Sequence, residues 1–251
     1  MKKILSKNVQ GLIEANSIYF NNVVYEMKTA GVDIITLSLG EAFFDLPLYS
    51  FDDLPFPDIY HYSHSRGIIP LRKKIAEYFH KEYSFEFNPE TNIIITAGSK
   101  VAIYMTFSSI LDIDEEVIIP EPYWVSYTEQ VKLCHGVPIT VPIDESIYDI
   151  EKYITQKTKC IVINNPHNPS GKNYSLDELT YLHNLAKKYD ILVLSDEAYS
   201  DFLIEGEKFI SMGSIDKDMT HSVVFNSISK NYGISGWRLG YVIAQPSIIE
   251  Q

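Results

Sequence analysis

Short apolar, β-branched runs alternate with segments whose apolar residues recur every three or four positions. The runs predict strands at 93–96, 117–120, 139–142, 160–164, 191–196, 222–227 and 239–244. Several are apolar without a polar alternate, the pattern of strands buried on both faces. Between them lie helical segments. Pro70 opens one whose Leu71, Ile75 and Phe79 fall on a single face. Ser175-Leu-Asp-Glu178 is a capping box followed by Leu179, Leu182 and Leu185 on one stripe. Alternating strands and helices predict an α/β fold of three layers, α/β/α, around a mostly parallel sheet. Ligands of such sheets gather beyond the carboxyl ends of the strands. The first fifty residues differ: a helix from Ile13 to Lys28, a short strand at 34–39, and an irregular Gly/Pro/Phe loop.

Composition narrows the function. A chain of 251 residues, 45% apolar, supports one large core. Its net charge of −12 is the wrong sign for nucleic acid or anionic membrane, so neither is an expected partner. An anionic ligand would need a local basic pocket. Cys134 and Cys160 have no metal-ligand or CxxC spacing and are expected as two buried free thiols. The seven histidines form no metal-like cluster, so no metal is expected, and His167 reads as solvent-facing or packed in its loop. The basic start lacks the apolar stretch of a signal peptide, and no run is long enough for a membrane span. A cytoplasmic protein is expected.

The chemistry gathers after the strands. Ser227-Ile-Ser229-Lys230 follows one strand and precedes Gly233, Gly236, Arg238 and Gly240. Lysine forms Schiff bases with aldehydes when its amine is deprotonated, which desolvation or a nearby cation promotes. A guanidinium with hydroxyls nearby clamps phosphate. An aldehyde and a phosphate together describe pyridoxal phosphate.

Upstream, Asn165-Pro-His-Asn168-Pro-Ser-Gly171 follows one predicted strand and Asp196-Glu-Ala-Tyr199 another. With Tyr62-x4-Gly67-x3-Leu71-Arg72, Ala97-Gly98-Ser99-Lys100, Pro122-Tyr-Trp124-Val-Ser-Tyr127 and the lysine segment, six motifs stand in order. From about residue 30 onward the chain resembles the fold-type-I pyridoxal phosphate enzymes, nearest the class I/II aminotransferases of aspartate aminotransferase type. The resemblance implies the large domain of that fold, with pyridoxal phosphate as cofactor. It implies Lys230 as the Schiff-base lysine, Asp196 as partner of the ring nitrogen, and Tyr199 and Asn168 as donors to the ring oxygen. Trp124 would stack on the ring. Gly98, Ser99 and Lys100 would cup the phosphate together with Ser227, Ser229 and Arg238. Tyr62 would reach the phosphate of a neighbouring subunit, which makes a homodimer the expected assembly.

Substrate contacts would involve Gly40, Trp124 and Asn168, although Glu41-Ala-Phe-Phe44 departs from the family's Glu-Pro-Asp-Phe after Gly40. The bland readings stand beside these: Asp at a strand end is a common helix N-cap, Trp124 is ordinary core, and 98–100 is a plain strand-to-helix turn. The expected organisation is an arm and substrate-side loop at 1–50, a cofactor-binding domain at 51–245, and the start of a small domain at 246–251. Most of that small domain, with the family's carboxylate-gripping arginine, has no match in the chain. The implied activity moves an amino group between an amino acid and a 2-oxo acid. A carbon–sulfur lyase, decarboxylase or synthase of the same fold, or a cofactor-binding protein with little turnover, fits the same motifs. The motifs do not specify the amino donor.

Overall fold

Seven strands form one sheet in the computed structural model, which describes residues 4, 6–12, 16–38, 40–42 and 50–251. They are β1 (Ile93–Thr96), β2 (Glu116–Pro120), β3 (Val137–Val141), β4 (Thr158–Asn164), β5 (Leu192–Asp196), β6 (Ser222–Ser227) and β7 (Gly240–Ile243). Every strand from 93 onward forms where its apolar run predicts. The sheet order is β1-β7-β6-β5-β4-β2-β3. The pairs from β3 through β6 are parallel, while β7 runs antiparallel to both β6 and β1. Two reversals bring the end of β1 to the same sheet edge as the ends of β4, β5 and β6, and the start of β7 joins them there.

The unbroken apolar runs are explained by burial on both faces. In β4, Ile161 and Ile163 join one buried cluster while Cys160 and Val162 join the other; in β2, Ile118 opposes Val117 and Ile119. The helices are α1 (Lys7–Gln10), α2 (Asn16–Thr29), α3 (Ile69–Tyr83), α4 (Ser99–Ile110), α5 (Ser126–Leu133), α6 (Leu176–Tyr189), α7 (Met212–Ile215), α8 (Ile228–Asn231) and α9 (Pro246–Ile249). α3 and α6 cover the first face with Ile75, Phe79, Leu179 and Leu182. α4 and α5 cover the second with Ile103, Phe107, Tyr127 and Val131, completing three layers. The predicted capping box opens α6, with Ser175 and Glu178 bonded reciprocally.

Two expectations are corrected. Residues 34–38 form no strand, and Leu39 lies outside the described residues. Ile35 and Leu37 are exposed, and no strand edge pairs with the segment, so its β-branched composition has no partner to act on. Cys134 is only partly buried, whereas Cys160 is fully buried; both are free. The predicted helix start at Ile13 lies outside the described residues, and α2 is described from Asn16. Among the described residues no helix is long and apolar enough to cross a membrane, and no group of His, Cys, Asp or Glu is arranged to hold a metal.

Candidate active site

The shared sheet edge collects most of the predicted chemistry. Asp196 ends β5 with 6% of its surface exposed. The Tyr127 hydroxyl donates to its Oδ2 at 2.6 Å and the Ala198 N–H to its Oδ1 at 3.3 Å. Burial raises the Asp196 pKa; the two hydrogen bonds offset this only in part. A buried carboxylate in that state is ready for a cationic partner, and a protonated ring nitrogen supplies one. Tyr127 is the residue that motif reading missed in this role. Its bond spans 69 positions of chain, and only its place three residues after Trp124 hinted at the site.

Asn168 Nδ2 donates to the Tyr199 hydroxyl oxygen at 3.2 Å. Burial first, then the charge of Asp196, raises the Tyr199 phenol, which therefore keeps its proton at neutral pH. With its oxygen accepting from Asn168, its own O–H is left to donate onward. Lys230, on α8, lies with its Nζ 5.8 Å from the centre of the Tyr199 ring. That Nζ donates to the Gly40 carbonyl at 2.8 Å, which brings the N-terminal segment onto the site. Glu41 accepts a hydrogen bond from Ser235 in the same region. Phe43 and Phe44, where the loop departs from the family pattern, lie outside the described residues.

Where β1 leads into α4 beside the start of β7, two glycines permit close packing. Gly98 caps α4 at φ 92°, and a Cβ there would stand 2.6 Å from Nη2 of Arg238. Gly240 is equally constrained: a Cβ would stand 2.4 Å from the Ser99 nitrogen and 2.5 Å from the Gly98 carbonyl carbon. The N-terminal end of α4 thus lies beside the Arg238 guanidinium, whose Nη1 also donates to the Ser235 carbonyl at 2.8 Å; a helix N-terminus and a guanidinium both favour an anion. Gly240→Ala has to move backbone against backbone. It is expected to cost about 1–3 kcal/mol in urea unfolding and to weaken uptake of a phosphorylated ligand. Wild-type stability and uptake in that variant would contradict the packing.

Not every predicted phosphate contact is free. Ser227 Oγ accepts from the Ser229 N–H at 3.1 Å and donates to the Leu239 carbonyl at 3.1 Å, so in this arrangement it caps α8. Ser229 is buried beside it. Lys100 lies over Trp124, its Nζ 5.2 Å from the ring centre, and Trp124 packs edge-on against Tyr127. Tyr62 is fully exposed on this chain. His167 is half-buried and bonds Ser170 at 2.7 Å. Arg72 is spent on structure: it donates to the carbonyls of Gly67, Pro89 and Glu90.

Glu197, next to Asp196, is fully buried. Its Oε1 accepts from Ser195 Oγ at 3.0 Å and the Met212 N–H at 2.8 Å, while its Oε2 is buried without a hydrogen-bond partner. Burial pushes its pKa up to about 8 from an ordinary 4.5. The folded state therefore holds more protons than the unfolded state between those values. This contribution costs stability progressively as pH rises through that window, on the order of a few kcal/mol. Urea unfolding across the window is expected to show the decline, and Glu197→Gln is expected to flatten it. An unchanged slope in Glu197→Gln would contradict the assignment.

Residues 51–251 match the family model described as aminotransferase class I and II. The chain is 38% identical over 256 residues to an aspartate aminotransferase of Bacillus subtilis strain 168, covering 98% of this chain and 65% of that one. It is 36% identical over 228 residues to aromatic-amino-acid aminotransferase 2 of Thermococcus litoralis, covering 87% of this chain and 58% of that one. The solved aspartate aminotransferase of Thermus thermophilus with maleate superposes with a TM-score of 0.89 at 33% identity, over 99% of this chain and 66% of that one. The chain thus spans a little under two thirds of the length of these relatives.

Proposed function

The chain belongs to the class I and II aminotransferases, whose members use pyridoxal phosphate, and on that premise we propose that it carries the cofactor-binding half of an amino acid aminotransferase site. The observation that supports this best is one sheet edge bearing a buried carboxylate, the Asn168–Tyr199 pair, Lys230 and Arg238 packed beside Gly98 together.

These residues fit the group. Arg238 and the first amides of α4 would hold the phosphate, with Ser227 and Ser229 beside them once Ser227 releases the Leu239 carbonyl. Asp196, oriented by Tyr127, would hold the proton on the ring nitrogen. The Tyr199 hydroxyl and the Asn168 amide would donate to the ring oxygen, and Trp124 would cover a ring face. Lys230 Nζ would hold the aldehyde carbon, after leaving the Gly40 carbonyl. Pyridoxal phosphate, when bound, supplies the electron sink that makes the substrate Cα–H acidic. Once the substrate amine takes its place on the aldehyde carbon, Lys230 Nζ would be free to take that proton and return it as a general base and acid. Gly40, Trp124 and Asn168 would meet the substrate, an amino acid or a 2-oxo acid.

Residues 51–245 make up the cofactor-binding unit in this reading, with 1–50 as the arm and substrate-side loop. The fully exposed Tyr62 suits a homodimer in which it serves the neighbouring site, and a cytoplasmic location is part of the same reading. The test is a half-reaction: the cofactor-loaded chain is mixed with a panel of amino acids. Aminated cofactor and the matching 2-oxo acid are expected. Release of pyruvate or ammonia without an acceptor would overturn transamination in favour of a lyase.

A further inference from the structure

Two asparagines meet at the end of β4, and they do different jobs. Asn165 anchors the base of the following loop: its Oδ1 accepts from the Tyr174 N–H at 3.0 Å and its Nδ2 donates to the Ile210 carbonyl at 3.2 Å. Asn164, only 4% exposed, aims both polar atoms at residues of the site. Its Oδ1 accepts from the backbone N–H of Asn168 at 2.6 Å, and its Nδ2 donates to the backbone carbonyl of Asp196 at 2.8 Å. Inside the turn, the Gly171 N–H donates to the His167 carbonyl and the His167 N–H to the Lys172 carbonyl, bonds that tie the turn to itself. Asn164 ties it to the strand.

We propose, resting on the cofactor reading above, that Asn164 is a positioning residue: it sets the Asn168 amide against the Tyr199 hydroxyl and keys that pair to the strand end bearing Asp196. The two arms are unequal. The Asp196 carbonyl also accepts from the Asn165 N–H at 2.9 Å, so it stays satisfied without Asn164. The Asn168 backbone N–H depends on the Asn164 side-chain Oδ1. Loss of Asn164 therefore acts through Asn168, which makes the effect distinguishable from general destabilisation.

The readout is the pH titration of visible absorption from pyridoxal phosphate bound to Lys230. Donors to the ring oxygen stabilise it as an anion and so lower the pKa of the neighbouring cofactor–lysine nitrogen. Asn164→Ala is expected to raise that apparent pKa by about one unit, the scale of one charge-assisted hydrogen bond. Asn168→Ala is expected to raise it in the same direction, and Asn164→Ala to add little in the Asn168→Ala background. A folded, cofactor-loaded Asn164→Ala that titrates as wild type, or shifts that add in full, would overturn the proposal. Asn164→Ser, which leaves a smaller hole, serves if the alanine variant does not fold. Failure of both to fold would make Asn164 a purely structural residue and overturn it too. A wild-type chain that takes up no pyridoxal phosphate would instead remove the cofactor reading itself.

Discussion

Lys230→Ala is expected to abolish covalent retention of pyridoxal phosphate and to slow the half-reaction with an amino acid by at least about a thousandfold. The size follows from losing both the amine that holds the aldehyde and the group that moves the Cα proton. Fold stability is expected to change little, because the half-buried Lys230 amine donates to the Gly40 carbonyl and otherwise lies over the Tyr199 ring. The variant is still expected to bind the cofactor noncovalently, through Arg238 and the α4 amides. Single-turnover absorbance and equilibrium dialysis separate these outcomes. Covalent retention undiminished in the variant would place the reactive lysine elsewhere.

Asp196→Asn carries the second large effect. Asparagine keeps the shape and lets Tyr127 go on donating to its one side-chain oxygen, at the loss of the longer Ala198 N–H bond, but it removes the charge that holds a ring-nitrogen proton. A preorganised charge in a water-poor site contributes on the order of a hundredfold to a thousandfold in rate, and that loss is expected in the half-reaction. Stability is expected to hold or rise, since burial already disfavours the Asp196 carboxylate in the chain without a cationic partner. A rate within a few-fold of wild type would mean that Asp196 serves only as a strand-end cap.

The parts legible in the sequence are those in which one residue type satisfies one local need. The runs of β2, β4, β5 and β6 read correctly because strands buried on both faces have no polar alternate. The capping box of α6 read correctly because its partners lie three residues apart. The segment 34–39 misled because β-branched composition states a tendency and not a pairing partner. Tyr127 and Asn164 escaped notice in their roles for a related reason. Tyr127 acts on a carboxylate 69 positions away, and Asn164 acts on backbone atoms brought near by the β4–β5 register. Apart from Tyr127's place three residues after Trp124, nothing in their own neighbourhoods marks either as distinct from a core tyrosine or a strand-end asparagine. Glu197 was visible as a charge directly after an apolar strand, but its full burial was not. The motif offers Ser227 as a phosphate contact, and the structure shows its hydroxyl capping α8.

The central claim is that Lys230 holds pyridoxal phosphate at this sheet edge. Incubating the chain with pyridoxal phosphate, reducing with borohydride and mapping the labelled peptides by mass spectrometry tests it most directly. The predicted result is a single pyridoxyl group on the peptide carrying Lys230, in one-to-one proportion with the chain. An unlabelled chain, or label spread over other lysines with Lys230 bare, would contradict it.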